Sequence, residues 1–289
     1  MKPATSIALA QLVSQGELAL DQPVSHFVPG FAQNNKEHIT LRHLLTHTSG
    51  VELFAPAKLA SAQELLDDVC RRRPHSAPGT QAAYWTFGAW VLLGTVIETV
   101  VGRPLSAHIR DRVFLPLGME DSFVGMTGEQ WTAVVDRLGV SYVDVRGMDL
   151  DFVPAAAAAA GVGVDQLPAL TEDGFVPMEW EASERACAST LPEQSGYAPT
   201  DMARFYDALL RPDELAQRGI LDADILRVFT SAQRRGMYDL VLLRVCDFGL
   251  GIMVNVRDHQ LVIVALRIPG SSDFRGVIVA RRDQLGRPA

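Results

Sequence analysis

The sequence predicts an α+β fold, with helices first and strands last. Helical periodicity runs through most of residues 1–215, and two β-rich runs of Val, Ile and Leu follow at 249–256 and 260–268. No alternation of strand and helix connects the two regions, so a doubly wound parallel sheet is not expected. We therefore divide the chain into a predominantly helical part, residues 1–215, and a β-containing part, residues 216–289.

The first helix is predicted from Pro3 to Gln15. Proline suits the first turn of a helix, because the N–H that it lacks would have no helical partner there. Apolar residues recur through the segment, and Gly16 is well suited to end it in a left-handed conformation. The helix is therefore expected to begin almost at residue 1.

The stretch Ile39 to Gly50, ITLRHLLTHTSG, predicts a short buried helix closed by a polar turn. Thr40 is a suitable N-cap, and three leucines after it fall on one helical face. His43 and His47 are four residues apart, a spacing that could hold a metal ion. Since neither an H-E-x-x-H pattern nor a nearby pair of carboxylates accompanies them, packing or hydrogen-bonding roles are favoured for both.

Three more helices are predicted before residue 120. Residues 61–73 form an amphipathic pattern with a charged end. Residues 86–101 are almost continuously apolar and are followed by Gly102, which indicates a buried helix with a glycine C-cap. Residues 105–113 form a further helical pattern that ends before a proline.

The second half of the chain is less regular. Residues 140–195 show no periodicity and include a run of six alanines, so no structure is assigned to them. Thr200 is predicted to cap a helix that ends at Leu210. The two β-rich runs are expected to pair as a hairpin across residues 257–259.

Composition limits the classes of function. The chain has 289 residues, 48% hydrophobic and 21% charged, which is an ordinary globular composition. Its net charge of −8 and its three lysines argue against a nucleic-acid-binding surface. Three scattered cysteines without C-x-x-C spacing indicate neither a disulfide framework nor a zinc site. No apolar run reaches the roughly 18 residues that a membrane span needs. The expected partner is a small molecule, with no cofactor and no metal.

Several segments of the chain occur in an informative order. Besides the stretch at 39–50, they are LVSQGELALDQPVSHFVPGF (12–31), APGTQAAYWT (77–86), GRPLSAHIRDRVFLPLGM (102–119), APTDMARFYDALL (198–210) and FGLGIMV (248–254). In sequence and order they resemble the serine β-lactamase and penicillin-binding-protein family, in the branch of class C β-lactamases and β-lactamase-like carboxylesterases. The resemblance implies a β-lactamase/transpeptidase-like fold, with a helical domain beside an antiparallel sheet, and acyl-transfer chemistry.

Acyl transfer in this family uses a serine nucleophile, whose proton is taken by the lysine of an S-x-x-K motif at a helix start. The spacing places both side chains on one helical face. The resemblance makes Lys2 the motif lysine, since it precedes Gly16 by the family's fourteen positions. The serine would fall before Met1, and the 289 residues contain neither S-x-x-K nor G-x-S-x-G. We therefore expect the chain to be truncated and to lack the nucleophile.

The second family motif is a tyrosine motif, and the segment AAYWT places Tyr84 at its tyrosine. The resemblance implies that the phenol lies beside the Lys2 amine, within hydrogen-bond reach or one bridging water, and passes a proton to the leaving group. The usual asparagine of this motif is Thr86 here, which keeps a hydrogen-bonding oxygen but loses the amide donor. Trp85 and Thr86 are expected to border the substrate pocket. Without this context, an aromatic residue such as Tyr84 would more often belong to the core.

The third family motif, a [K/H]-x-G strand, has no counterpart. No lysine follows Lys58, and the last histidine, His259, is followed by Gln260 and Leu261 rather than by a glycine at the second position. The oxyanion donor of that strand would be missing as well. Residues 216–289 are therefore expected to be an incomplete remnant of the family's sheet domain, whose unpaired edge could promote oligomerisation.

Two classes of function fit these residues. One is a β-lactamase-related serine hydrolase that acts on an ester or amide through an acyl-enzyme, its chain as given lacking the nucleophile and the third motif. The missing asparagine favours a carboxylesterase-like hydrolase over a true β-lactamase. The other is a non-catalytic pseudoenzyme or small-molecule-binding relative that keeps the pocket. The compartment stays open, with the cytoplasm as the default, because an export signal would lie in the part expected to be missing.

The 289-residue chain is predicted not to turn over nitrocefin or p-nitrophenyl butyrate, because it encodes neither a serine three positions before Lys2 nor the third motif. Stopped-flow and steady-state assays with both chromogenic substrates check this. The Lys2→Ala variant is the control for background hydrolysis. Burst kinetics that this variant lacks would contradict the prediction.

Overall fold

The computed structural model describes residues 2–51, 62–85, 87–137, 141–144, 175–177, 198–242, 244–254, 264–267 and 274–278. The chain forms two compact units. Unit 1 comprises Met1–Gly125 and Ser189–Val256, and unit 2 comprises Met126–Ala188 and Arg257–Ala289. Each unit is thus built from two separate stretches of chain. The boundary predicted between residues 215 and 216 stays a prediction.

The described α-helices dominate unit 1. They are α1 (Lys2–Ser14), α2 (Leu41–Leu45), α3 (Ala62–Arg71), α4 (Gly88–Val101), α5 (Leu105–Ile109), α6 (Gly128–Val134), α7 (Pro199–Leu209), α8 (Pro212–Gln217) and α9 (Ala223–Thr230). Of these, α6 belongs to unit 2. A π-helical turn, Arg110–Phe114, and a 3-10 turn, Leu115–Leu117, follow α5. The helices predicted before residue 120 are therefore confirmed, with shifted ends.

Helix α1 is buried along most of its length and contacts α4, α5 and α9. Its polar side chain Gln11 is used structurally, since Nε2 donates to the carbonyl oxygens of Arg112 (2.8 Å) and Ile220 (2.9 Å). Gly16 follows the helix with φ +76°, a left-handed conformation that glycine adopts without steric cost. The predicted first helix and its glycine end are both confirmed.

Helix α2 begins with the predicted N-cap. The Thr40 hydroxyl accepts a hydrogen bond from the His43 N–H (3.3 Å), and His43 Nδ1 accepts one from the Thr40 N–H (3.1 Å). This reciprocal pair is a capping box in which histidine takes the place of the usual Glu or Gln. The helix buries Leu41, Leu44 and Leu45. Local sequence therefore fixes both the start and the buried face of this short helix.

Helix α4 lies in the middle of the unit 1 core. It contacts α1, α2, α3 and α5, and Trp90 near its start is 1% exposed. Gly102 ends the helix with φ +65°. An almost completely apolar helix is stable in water only if other elements cover it, and α4 is buried from Gly88 to Gly94 and at Val96 and Ile97, while Thr99 near its end is exposed. The core around it is formed by residues of α1 to α5 and α7 to α9.

The start of α7 corrects one prediction. Its N-cap is Ala198, with Pro199 in the first turn, and Thr200 lies inside the helix. The assignment of Thr200 as N-cap is therefore wrong. The fixed φ of a first-turn proline favours a start at this position, although Ala198 provides no capping side chain.

The described strands form three antiparallel sheets. The strands are β1 (Ser141–Asp144), β2 (Phe175–Pro177), β3 (Tyr238–Asp239), β4 (Arg244–Val245), β5 (Asp247–Phe248), β6 (Met253–Val254), β7 (Val264–Arg267) and β8 (Phe274–Ile278). A four-stranded sheet in unit 2 has the order β2-β1-β7-β8. In unit 1, β3 pairs with β4 and β5 pairs with β6. The predicted α+β class is confirmed.

The hairpin expected between residues 249–256 and 260–268 is wrong. Gly251, with φ +75°, turns the chain inside the first run, so that β6 pairs back with β5. Strand β7 in the second run pairs with β1 on one side and β8 on the other. Within the described sheet, β7 is therefore paired on both sides, and the edge strands are β2 and β8. Oligomerisation itself stays a prediction.

Strands β1 and β2 lie in the region, residues 140–195, to which the sequence assigned no structure. Both are short, and each gains its hydrogen bonds from a partner distant in sequence or across a long connection. Among the described residues, no helix is long and apolar enough to cross a membrane.

Gly251→Ala is predicted to lower the free energy of unfolding by roughly 2–4 kcal/mol, as the sum of left-handed strain and overpacking. A Cβ at this position would lie 1.8 Å from Ser6 Oγ and 2.9 Å from the Trp90 ring, both of them buried. Urea denaturation measures the loss. The matched control is Gly219→Ala, which has φ +68° but no atom within 4 Å of the added Cβ, and is expected to lose only about 1 kcal/mol. Equal losses in the two variants would contradict the steric argument.

Candidate functional site

The structure brings Lys2 and Tyr84 together. Lys2 is the first residue of α1, and Tyr84 lies in the segment that leads into α4. The Lys2 amine, Nζ, lies 5.7 Å from the centroid of the Tyr84 ring. The two residues are 82 positions apart in the sequence, so the packing of α1 on α4 produces their contact. A cation at this distance is attracted by the ring. Their catalytic role stays a prediction.

The other two predicted site residues have different positions. Trp85 is 3% exposed, and its indole covers Gly88 at the start of α4, where an added Cβ would lie 2.2 Å from the ring. Its side chain is thus part of the core, and its substrate-binding role stays a prediction. Thr86 lies outside the described residues.

Three consecutive backbone N–H groups, those of Ala83, Tyr84 and Trp85, form hydrogen bonds that hold this tyrosine segment (residues 83–85) in place. Ala83 donates to the His47 carbonyl oxygen (3.0 Å), and Trp85 donates to His47 Nδ1 (3.1 Å). Between them, the Tyr84 N–H donates to Asp239 Oδ1 (3.0 Å). The backbone of Tyr84 is therefore fixed on both sides by His47 and at its own amide by Asp239.

His47 is a neutral, buried histidine with an unusual backbone conformation. Its φ of +56° lies in the left-handed region, and it is 2% exposed. Burial lowers the pKa of His47 to about 3, helped by the nearby charge of Arg234. Because Nδ1 accepts the Trp85 N–H, the neutral ring carries its proton on Nε2. The imidazole lies 4.5 Å from the Tyr84 ring, centroid to centroid. It packs and accepts a hydrogen bond, as the sequence favoured.

Asp239 is a buried carboxylate that the sequence did not identify. It is 0% exposed, and Oδ1 accepts the N–H groups of Tyr84, Val241 and Leu242, each at 3.0 Å. Oδ2 accepts Nη1 of Arg234 at 3.1 Å. Burial raises the pKa of the Asp239 carboxyl, but the three N–H donors and the Arg234 charge outweigh it and hold that pKa below its usual value. Asp239 is therefore ionised at neutral pH.

Arg234 completes this buried ion pair and extends it to α2. It is 3% exposed, and Nη1 also donates to the Thr46 carbonyl oxygen (3.1 Å). Nη2 donates to the Cys246 carbonyl oxygen (3.2 Å). The guanidinium carbon lies 4.4 Å from the centroid of the Phe248 ring. Since neither residue occurs in a recognisable motif and the Tyr84–Asp239 bond spans 155 positions, no sequence signal points to this pair.

The arrangement suits proton transfer at the Tyr84 phenol. A primary amine and a phenol are side chains that serve as general acid and base, and here the amine lies 5.7 Å from the centre of the phenol ring. His47 is uncharged and Arg234 is paired with Asp239, so these two residues contribute little net charge at the ring. His43 and His47 each accept a backbone N–H at Nδ1, which is the hydrogen-bonding role that the sequence favoured for both over a metal role.

A family model described as Beta-lactamase matches residues 1–285. The chain therefore belongs to the beta-lactamase family, and the predicted family is confirmed. Within this family, the curated relatives include esterases, penicillin-binding proteins and beta-lactamases.

Two curated relatives illustrate the similarity. Esterase EstB of Burkholderia gladioli is 35% identical over 163 residues, which are 50% of this chain and 40% of that protein. Penicillin-binding protein 4 of Amycolatopsis lactamdurans is 30% identical over 159 residues, which are 53% of this chain and 41% of that protein. The matched region thus spans about two fifths of the length of these relatives.

Solved structures confirm the predicted β-lactamase/transpeptidase-like fold. The crystal structure of a family VIII carboxylesterase aligns with a TM-score of 0.66, at 19% sequence identity, over 92% of this chain and 71% of that chain. Similarity at this level of identity establishes the fold alone.

Replacing the buried histidine is predicted to change the pH dependence of stability. The pKa of His47 is about 3 in the folded chain, against about 6.5 when unfolded. Between these values only the unfolded chain binds the proton, so protonation lowers the free energy of unfolding as the pH falls from 6.5 towards 3, by at most about 5 kcal/mol.

The variant His47→Asn removes the pH-dependent contribution of His47 to the free energy of unfolding. Asparagine is suited to this position because it tolerates the left-handed conformation. Urea denaturation at pH 7.5, 6, 5 and 4 should show a variant that is less stable at pH 7.5 but loses less stability on acidification. All other titrating groups are common to both proteins, so the difference between the two curves isolates His47. Parallel curves would disprove the assignment.

Proposed function

We propose that Lys2 and Tyr84 are the proton-transfer pair of a β-lactamase-related acyl-transfer site. The observation that carries this proposal is the 5.7 Å separation between the Lys2 amine and the Tyr84 ring. Family membership and the resemblance of the two motifs support the same roles. Lys2 would take the proton of a serine placed three positions before it, and Tyr84 would return a proton to the leaving group.

The substrate class that we propose is a small carboxylic ester. The departure from asparagine at Thr86 favours an ester over a β-lactam. The similarity to Esterase EstB of Burkholderia gladioli points the same way. An ester carbonyl needs only modest activation for acyl transfer, so loss of an amide donor from the tyrosine motif is better tolerated there than with an amide.

We further propose that the 289-residue chain does not form an acyl-enzyme. Its sequence contains no S-x-x-K and no counterpart of the third motif. A second candidate function is therefore a non-catalytic, small-molecule-binding relative. The observation that favours it is that the 289 residues keep the contact between Lys2 and Tyr84 but contain no counterpart of the third motif.

An added serine separates the two candidates. A short leader followed by Ser-Val is placed ahead of Met1, which puts the serine three positions before Lys2. A fluorophosphonate probe is predicted to label this extended protein, because the Lys2 amine activates the hydroxyl. Mass spectrometry measures the labelling rate. The same leader with alanine for the added serine is the control for labelling elsewhere.

In the extended protein, Lys2→Ala is expected to reduce the labelling rate by roughly 10²-fold or more, which is the usual contribution of a general base. Hydrolysis of p-nitrophenyl butyrate by the extended protein would support the hydrolase proposal. Labelling that is equally fast in the Lys2→Ala background would contradict the role of Lys2. Absence of labelling, in a protein shown to be folded by circular dichroism, would favour the binding relative.

A further inference from the structure

We propose that Arg234 and Asp239 are positioning residues: their buried ion pair holds the tyrosine segment so that the Tyr84 phenol faces Lys2. The inference rests on the proposed function, in which Lys2 and Tyr84 transfer protons. It adds two residues that belong to neither motif of the proposed site.

The first step is the bond from Asp239 to the Tyr84 amide. Asp239 is the last residue of β3, and its Oδ1 accepts the N–H groups of Val241 and Leu242 in the turn that follows. The third bond comes from the Tyr84 N–H, 155 positions away in the sequence, and it fixes the position of the Tyr84 backbone. With the carboxylate 0% exposed, water does not compete for this bond.

The strand that carries Asp239 is fastened to the same segment a second time. Ala82 and Asp239 form a parallel β-bridge, and the Leu240 N–H donates to the Ala82 carbonyl oxygen at 2.9 Å. The position of Asp239 and the position of Tyr84 are therefore coupled through both backbone and side chain.

Arg234 links this assembly to the turn after α2. Its Nη1 is shared between Asp239 Oδ2 and the Thr46 carbonyl oxygen, each at 3.1 Å. Thr46 directly precedes His47, which binds the amides on either side of Tyr84. One guanidinium thus sets the separation between the two groups that hold the tyrosine backbone.

Arg234 also contacts Phe248, whose ring lies near the Tyr84 ring. Its backbone exchanges two hydrogen bonds with Phe248, and its guanidinium lies 4.4 Å from the Phe248 ring centroid. The Phe248 ring in turn lies 5.1 Å from the His47 ring and 6.1 Å from the Tyr84 ring, centroid to centroid. The ion pair therefore fixes the backbone of Tyr84 and part of the packing around its ring.

The test measures the contact between Lys2 and Tyr84 inside the folded protein. The chain is labelled with [13Cζ]tyrosine, and Tyr84→Phe assigns the Tyr84 signal among five tyrosines. Since the Lys2 charge lies 5.7 Å from the ring centre, Lys2→Met should displace the Tyr84 signal. The size of that displacement reports the contact and needs no enzymatic activity.

The key variant is the double substitution Arg234→Met with Asp239→Leu. It leaves no buried charge without a partner, which avoids the largest cost of a single substitution, but it provides no acceptor for the N–H groups of Tyr84, Val241 and Leu242 and is expected to be less stable than the parent protein. Asp239→Asn is the second variant, which keeps an oxygen acceptor but directs an amide or an uncharged oxygen towards Arg234. In both, the Lys2-dependent displacement is expected to be largely lost in protein that circular dichroism shows to be folded.

Asp201→Asn is the matched control. Asp201 is also a buried carboxylate, 2% exposed, that pairs with an arginine and accepts a backbone N–H, but its partners are Asp121, Ser122 and Arg204. The displacement should be unchanged in this control. A purely structural role for the ion pair predicts the same result for all three proteins once they are folded.

Full displacement in the folded double variant would overturn the positioning role while leaving the proposed function intact. No displacement in the parent protein would instead show that Lys2 and Tyr84 do not interact, which would overturn the proposed function and this inference together. Loss in the two site variants with retention in Asp201→Asn supports the inference.

Discussion

The buried carboxylate of Asp239 is the constraint on which the candidate site depends. An ionised group in the interior is stable only when hydrogen bonds and an opposite charge replace water, and Asp239 receives three N–H donors and Arg234. One of those donors is the Tyr84 amide. Removal of one partner would leave the other charge buried and unpaired, at a cost of about 3–5 kcal/mol. The hydrogen bonds that stabilise the buried carboxylate therefore also fix the position of the Tyr84 backbone.

The electrostatic arrangement around Tyr84 follows from burial. His47 is driven to its neutral form by burial and by the neighbouring guanidinium, while that guanidinium is neutralised by Asp239. Two nitrogen-containing side chains close to the ring thus contribute little net charge. The Lys2 amine, at the half-buried start of α1, lies 5.7 Å from the centre of the Tyr84 ring.

The Lys2–Tyr84 contact does not depend on a nucleophile. It results from the packing of α1 against α4, from the hydrogen bonds between His47 and the tyrosine segment, and from the Asp239 bond to Tyr84. These interactions belong to the core of unit 1. The geometry of the pair therefore follows from the packing of unit 1. The same geometry is expected in the serine-extended protein, whose labelling tests the role of Lys2.

The sequence by itself determined the elements whose stability is local. The first helix, the capping box at Thr40 and the buried helix before Gly102 follow from periodicity, caps and glycine ends, which act within a few residues. Motif resemblance located Lys2 and Tyr84. The tertiary structure alone decided the pairing of β7 with β1 and β8, and the ion pair of Arg234 with Asp239 beneath Tyr84. Strand pairing and the hydrogen bond from Asp239 to the Tyr84 amide join residues that are far apart in the sequence. Such contacts depend on the tertiary fold, and local residue preferences do not determine them.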